Sequence, residues 1–399
     1  MTRHVINTAV LKVVAPCNLN CTYCYEYNRG DSSWRSKPKA ISREIARLVG
    51  HRIAEYATRH DLEYFRVNLH GGEPTLLGAK RLDDVLTDLK ASAGSVTLKI
   101  GMQTNGTLIT NEVVAALQQH DVRVGVSLDG DVNANRFRID HQGRPTWERA
   151  VNGLTLLKAV GLLSGIQTVI DLDSEPEAVL DALGQFGPKE IELGQPFGNH
   201  DNPPSANGHR YTLGVWLTRA FDHWQRSKAL QDSRITILTD ALYAILTERP
   251  NSDWFPALPP GYLIIATDGN YEGLDILKVV GSQGRVLDMN VRTHSIEEAL
   301  EHPFIHMRSG PEQLAPECRA CPIVSWCAGG YYPTRYGRGR GFDNPSLYCE
   351  DLKKLFSHLG ATLAAHPQIP EAQRTAIQLR LGELVRHDNQ DERGQRQLG

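Results

Sequence analysis

Between residues 25 and 317 the chain has no cysteine. Its seven cysteines fall into two groups, Cys17, Cys21 and Cys24 near the start and Cys318, Cys321, Cys327 and Cys349 near the end. An odd number grouped so tightly is a poor disulfide framework, and in a reducing compartment such groups read as ligands of a metal or a cluster. An excess of one charge is also missing. Lys and Arg total 43 against 46 Asp and Glu, which gives no reason to expect a nucleic acid or a membrane surface as partner. No apolar run approaches the roughly 18 residues of a membrane span. The opening MTRHVINTAVLKVVAP lacks the apolar stretch of a signal peptide. No internal repeat is visible. A cytoplasmic globular protein is the expectation, and 399 residues suffice for a large core domain with one or two smaller units.

What is present is alternation. Strand-like apolar runs occur at 10–14, 65–69, 96–102, 122–128, 163–170 and 190–193. Helical patterns lie between them. In the first, Ile45, Leu48, Val49, Ile53 and Tyr56 share one face, with Ser42 as N-cap. Others cover 79–92, 110–120, 147–160 and 175–186. Strand–helix repetition implies parallel strands with right-handed crossovers. Six units fall short of the eight of a closed barrel, so the fold class is α/β, a partial (β/α)6 TIM-like barrel. Active sites on such scaffolds lie at the C-terminal ends of strands.

Motifs sit at those ends. After the first strand comes Cys17-Asn-Leu-Asn-Cys21-Thr-Tyr-Cys24. Three thiolates can hold three irons of a [4Fe–4S] cube and leave the fourth open, as a catalytic cluster requires. A zinc site is the alternative, but it would recruit a fourth ligand at short spacing, and His51 is the nearest downstream histidine. After the second strand comes His70-Gly71-Gly72-Glu73-Pro74, where glycines permit close backbone approach and Glu73 can pair with an ammonium. Gln103-Thr104-Asn105-Gly106 follows the third strand and suits a ribose. Ser127-Leu128-Asp129-Gly130 follows the fourth, with Arg136 and Arg138 beyond it. Each of these also has a plain reading as a turn or a surface ion pair. Their succession on four consecutive strand ends is the signal.

The terminal group, C-x2-C-x5-C-x21-C, offers four thiolates, enough to close either a [4Fe–4S] cluster or a zinc site. Only one C-x2-C knuckle is present, where a zinc ribbon uses two. Glycines directly after Cys327 suit packing around a bulky cluster.

CxxxCxxC followed by an aromatic residue, with GGEP, QTNG and SLDG after successive strands, resembles the radical S-adenosylmethionine (SAM) superfamily. The resemblance implies that SAM chelates the open iron and is cleaved, on reduction, to a 5′-deoxyadenosyl radical that abstracts a substrate hydrogen. It also implies that Gly71, Gly72 and Glu73 hold the methionine amine, and that Gln103, Ser127 and Arg138 contact ribose or carboxylate. Arg136 competes with Arg138, because the segment after Ser127 is one residue shorter than in the family. The C-terminal region resembles the SPASM domain of radical SAM peptide maturases. That domain holds two auxiliary clusters. This chain matches the ligand set of one, at Cys318, Cys321, Cys327 and Cys349. Tyr331 stands where a further cysteine would be, and 261–275, which resembles the ligand-bearing strand pair, has none. One auxiliary cluster is expected, so two [4Fe–4S] clusters in all, with SAM.

Segments 25–38 and 335–349, with Thr267-Asp268-Gly269, resemble the FxsB type of cyclophane-forming maturase. That resemblance implies a ribosomally made precursor peptide as substrate. It further implies a C–C bond between an aromatic ring and the β-carbon of a nearby residue, a flavodoxin or ferredoxin as electron donor, and a base. Asp268 is the candidate base, with Glu272 and Asp275 behind it; Asp-Gly equally makes a hairpin turn. The alternatives are thioether formation, epimerisation, formylglycine formation, or a non-catalytic iron–sulfur scaffold. Trp34, with Arg35 and Lys37, either packs on the cluster rim or folds back on the core. The expected organisation is a barrel over 1–200, a bridging helical segment over 201–258, a small α+β SPASM-like domain over 259–350, and helices with a polar, disordered tail from Arg386 over 351–399. The segment before Cys17 leaves no room for a peptide-recognition domain, so leader binding is expected to use the core, an edge strand or a separate protein.

Overall fold

A computed structural model describes residues 5–29, 31–204, 208–250, 252–280, 286–306 and 310–397; the side chains of 275, 286, 311 and 390–397 lie outside what it describes, Asp275 among them. The chain forms two compact units. The first comprises Met1–Val169, Asp181–Gly194 and Pro260–Met307, the second Ile170–Leu180, Gln195–Pro259 and Arg308–Gly399.

Strands and helices alternate as the periodicity predicts: β1 (Thr8–Val14), α1 (Arg43–Arg59), β2 (Tyr64–Gly71), α2 (Gly78–Ser92), β3 (Thr97–Thr104), α3 (Asn111–Gln119), β4 (Arg123–Ser127), α4 (Trp147–Ala159), β5 (Leu163–Val169), α5 (Pro176–Gly184) and β6 (Glu190–Gly194). Local chemistry starts the helices. Ser42 accepts a hydrogen bond from the Ile45 amide at the head of α1, and Thr110 does the same for Val113 at α3. Strands β1 to β6 pair in chain order, and every pairing is parallel. In the second unit α6 (Leu213–Arg226), β7 (Arg234–Ile235) and α7 (Thr236–Thr247) follow. The chain then returns to the first unit. There β8 (Leu263–Ile265) runs parallel to β1 on its other side, and β9 (Asn270–Glu272) and β10 (Val286–Asn290) continue antiparallel.

The two faces of the parallel sheet differ. Leu11, Val13, Phe65, Val67, Leu69, Ile100, Met102, Val124, Val126, Ile166, Ile191 and Leu193 are buried on one face. Alternate positions carry Arg66, Asn68, His70, Lys99, Gln103, Ser127, Gln167 and Glu192, all partly or fully exposed. Parallel sheets are ordinarily apolar on both faces. A polar second face leaves room for a polar ligand at the strand ends.

Helices α8 (Ile296–Leu300) and α9 (Pro303–His306) complete the first unit, and the second closes with α10 (Pro316–Ala320), α11 (Val324–Cys327), α12 (Cys349–Ala365) and α13 (Glu371–Gln397). The tail expected to be disordered from Arg386 instead continues α13. It is polar, but its Glu, Arg and Gln favour helix and it contains no proline.

Helix α4 is set against the β3 loop by one glycine. A Cβ on Gly153 would stand 2.0 Å from the Gly106 carbonyl oxygen. Alanine gains about 1 kcal/mol of helix propensity over glycine, but a backbone oxygen cannot swing aside as a side chain can. Gly153→Ala is therefore expected to lower stability by a net ~1–3 kcal/mol, read as a lower midpoint in denaturant unfolding.

Candidate active site

The loop after β1 is held from several directions. Asn20 N–H donates to Ile139 O (2.8 Å) and Thr22 N–H to Phe137 O (3.1 Å), while His141 Nε2 lies 2.9 Å from Cys17 O. Its closest neighbour is the end of β2. Gly72 N–H donates to Val14 O (2.9 Å) and Glu73 N–H to Pro16 O (3.2 Å). A Cβ on Gly71, whose φ is 121°, would lie 2.0 Å from Val14 O. On Gly72 it would lie 2.1 Å from both Pro16 O and the Tyr27 hydroxyl. The two glycines thus let the cysteine loop sit on β2.

Glu73 is 1 % exposed and faces protein. Its Oε1 accepts from Thr75 N–H (3.0 Å), Thr75 Oγ1 (2.5 Å) and Thr104 Oγ1 (2.7 Å), and Oε2 accepts from Asn105 N–H (2.7 Å). Burial pushes this carboxyl up while the donors oppose it. Glu73 therefore ties the end of β2 to the end of β3; three of these bonds fall on Oε1 and one on Oε2, so Oε2 keeps a further acceptor site. Asn105 continues the chain of contacts, donating to Asn18 Oδ1 at 2.9 Å beside Cys17. Gln103 and Ser127 come together on the polar face, Nε2 to Oγ at 2.9 Å. Gly125 makes room, since a Cβ there would meet Gln103 Oε1 at 2.2 Å.

Arg138, not Arg136, reaches the cysteine loop. Arg138 is buried, with Nε 3.0 Å from Asp129 Oδ2, an ion pair without hydrogen-bond alignment, and its guanidinium 5.6 Å from the Tyr23 ring centre. The Tyr23 hydroxyl donates to the same Asp129 oxygen at 2.5 Å, and Asp129 Oδ1 accepts from Val169 N–H at 3.0 Å. Tyr23 lies between Cys21 and Cys24, so this pair clamps the loop to the ends of β4 and β5. Arg136 is exposed and lies over Phe137.

Burial raises all three thiols, Cys24 to about 11. Arg138 opposes the shift at Cys21. Backbone amides point at the sulfurs: Leu19 N–H at Cys17 Sγ (3.4 Å), and those of Glu26 and Tyr27 at Cys24. Amide donors around sulfur suit thiolates that carry negative charge to a metal. A bound cation would ionise these thiols, with release of protons.

The second group lines a cavity of about 220 Å³ in the second unit, formed by Cys318, Cys321, Cys327 and Cys349 with Ile323, Val324, Gly329 and Lys353. Burial pushes these thiols up as well, Cys349 to about 12 against the pull of Lys353. Ala328, Gly329 and Gly330 all have positive φ, which turns the chain sharply after Cys327. Among the described residues no three Cys, His, Asp or Glu side chains are set to hold a single metal ion. Four thiols on one cavity can hold either a [4Fe–4S] cluster or a zinc ion.

Asp268 caps the β8–β9 turn, its Oδ1 accepting from Asn270 N–H (3.0 Å) and Oδ2 from Asn270 Nδ2 (3.0 Å). Glu272 is buried and pairs with Lys12 and Lys37. Trp34 packs edge-on against Tyr27 at 5.0 Å and covers these charges. Sequence reasoning passed over Tyr23, Lys12, Glu26 and Lys278; a lysine inside the apolar run Leu11–Val14 was the available signal.

Residues 12–183 match the profile of the Radical SAM superfamily. Together with the three-cysteine loop at the head of a sequential parallel sheet, this makes the chain a radical SAM enzyme. It is 24 % identical to a serine-type anaerobic sulfatase-maturating enzyme of Klebsiella aerogenes, over 80 % of this chain and 78 % of that one. It is also 24 % identical to a cysteine-type anaerobic sulfatase-maturating enzyme of Clostridium perfringens, over 86 % and 93 %. The solved structure of native anSMEcpe with bound AdoMet and Cp18Cys peptide superposes at TM-score 0.76, covering 89 % of this chain and 97 % of that one at 20 % identity, a likeness of fold. Among the described residues no helix is long and apolar enough to cross a membrane.

The bracing role of Glu73 is testable. In Glu73→Gln one oxygen becomes an NH2 facing other donors, which is expected to cost about 1–3 kcal/mol. Thermal unfolding of the apo-protein should fall more for Glu73→Gln than for Thr104→Val, which removes a single donor.

Proposed function

We propose that this enzyme oxidises the β-carbon of a serine or cysteine in a peptide or protein substrate to formylglycine. The kinship with two sulfatase-maturating enzymes over most of the chain carries this reading. It was the alternative on sequence, and it displaces the aromatic crosslink that the FxsB-like segments suggest. In this reading Cys17, Cys21 and Cys24 hold a [4Fe–4S] cluster, and Cys318, Cys321, Cys327 and Cys349 hold one auxiliary cluster in a SPASM-like region. Gly71, Gly72 and Glu73 would hold the methionine amine of SAM, and Gln103, Ser127 and Arg138 would contact its ribose or carboxylate. Bound SAM on a reduced cluster supplies the radical that takes one β-hydrogen. Loss of an electron and a proton then turns a serine side chain directly into the aldehyde, whereas a cysteine side chain becomes a thioaldehyde that water hydrolyses to the aldehyde with release of sulfide. The auxiliary site is the candidate acceptor, and Asp268, at the C-terminal end of β8, is the candidate base. A flavodoxin- or ferredoxin-type donor supplies the reducing electron.

The sequential order β1 to β6 supports the partial-barrel reading of 1–200. The chain passes from the second compact unit to the first at Pro260, and the strands at 263–265 and 270–272 join the first unit's sheet, so the region 259–350 is shared between the two units.

Two measurements test the proposal. Anaerobic reconstitution should yield about eight irons per chain, falling to about four in Cys318→Ser/Cys321→Ser, since each cube holds four. The product of a peptide carrying Ser or Cys should react with an aminooxy probe, as an aldehyde does. A product two hydrogens lighter that ignores the probe and fragments as a ring would instead establish the crosslink. A product of unchanged mass would exclude both.

A further inference from the structure

Six charged side chains form an alternating chain inside the first unit. Lys278 meets Glu26; Glu26 Oε2 lies 3.5 Å from Lys12 Nζ; Lys12 Nζ lies 3.0 Å from Glu272 Oε2. Glu272 Oε1 is 2.6 Å from Lys37 Nζ, which is 3.6 Å from Asp268 Oδ1. Glu26 is 12 % exposed, and Lys12, Glu272, Lys37 and Lys278 are less so, whereas Asp268 is 26 % exposed. A void of about 10 Å³, room for a single water, lies among them beneath Trp34.

Stability alone does not account for such a chain. Burying an ion costs several kcal/mol, and well-packed apolar residues are often as stable as a buried pair. Anion binding does not account for it either, because each lysine already touches a carboxylate and the void admits only water. Nor does proton transfer. Burial alone would raise Glu272, but Lys12, Lys37 and Lys278 outweigh it and hold the group well below the usual carboxylate range, so it stays ionised at neutral pH. What the chain does is join five separate segments. Lys12 comes from β1, Lys37 from the segment before α1, Asp268 and Glu272 from the β8–β9 hairpin, and Lys278 from the turn at Asp275–Val280. Glu26 comes from the cysteine loop itself, two residues beyond Cys24, and its charge acts on the Cys24 sulfur.

We infer that Lys278, Glu26, Lys12, Glu272 and Lys37 are positioning residues, an electrostatic latch that fixes the Cys24 arm to the β8–β9 hairpin and sets the charge sensed by a cluster bound there. The inference rests on the reading of Cys17, Cys21 and Cys24 as cluster ligands. It assigns 263–280 a part in holding the SAM cluster, although that segment carries no cysteine.

The test uses the full chain, reconstituted anaerobically. Iron content, the SAM-sensitive EPR signal of the reduced cluster and its midpoint potential are measured in Glu26→Gln, Lys278→Met and the double variant. Loss of the negative charge in Glu26→Gln should move the potential up, and loss of the positive charge in Lys278→Met should move it down. The double variant should return close to wild type with its SAM-sensitive signal intact. If Lys278→Met fails to keep iron, recovery of iron in the double variant supports the latch and continued loss overturns it. Full iron with unmoved potentials in both single variants also overturns it. A wild-type protein whose EPR signal ignores SAM would instead sink the underlying reading of the three cysteines.

Discussion

The site depends on a contact between two stretches of backbone. The loop carrying Cys17, Cys21 and Cys24 rests directly on the end of β2, and it can do so only because residues 71 and 72 lack a Cβ. Any side chain at Gly72 would displace both the Pro16 carbonyl and the Tyr27 hydroxyl, which is itself committed to Ala15 O at 2.5 Å. The next residue, Glu73, then stands where its carboxylate gathers donors from the end of β3. One close approach thus fixes the relation of three consecutive strand ends, and Asn105 carries it back to Asn18 beside the first cysteine.

The electrostatics follow from that geometry. A parallel sheet gains stability by burying both faces, so a face lined with Asn68, Gln103, Ser127 and Gln167 forgoes part of that gain. The polar groups are then confined by pairing: Gln103 with Ser127, Arg138 with Asp129, Lys12 with Glu272. Each pair joins residues from different segments. Pairing of this kind adds little net stability, but it restricts the backbone to arrangements in which every charge keeps its partner. For a loop that, in the proposed function, presents three sulfurs to one group, restriction matters more than stability.

The sequence made some of this legible and not the rest, for a physical reason. Alternation of strand and helix, the Ser42 cap and the cysteine spacings are local patterns, and each is found where the periodicity puts it. Glu73 was legible as a residue of the site but not in its bonding, because its partners Thr104 and Asn105 belong to another motif. Arg138 was separated from Arg136 only by burial. The latch was invisible: Lys12 and Lys278 are 266 positions apart, by subtraction of their residue numbers, and a lone lysine or glutamate reads as a solvated charge. The helical continuation past Arg386 was missed because polar composition resembles disorder until helix propensity is weighed against it.

The two thiol sites also differ in what holds them. Around the four-cysteine cavity the shaping is local, with three successive left-handed residues after Cys327 and Cys349 at the first turn of α12. Residues close in sequence can form such a turn without reference to a distant sheet. The three-cysteine loop has no such independence. Its sulfurs are placed by contacts to β2, β4, the 137–141 segment and the hairpin at 263–272, so its geometry is a property of the whole first unit. Substitutions far from Cys24 can therefore alter that site while leaving every cysteine in place, whereas at the four-cysteine site the sensitive positions crowd around the cysteines themselves.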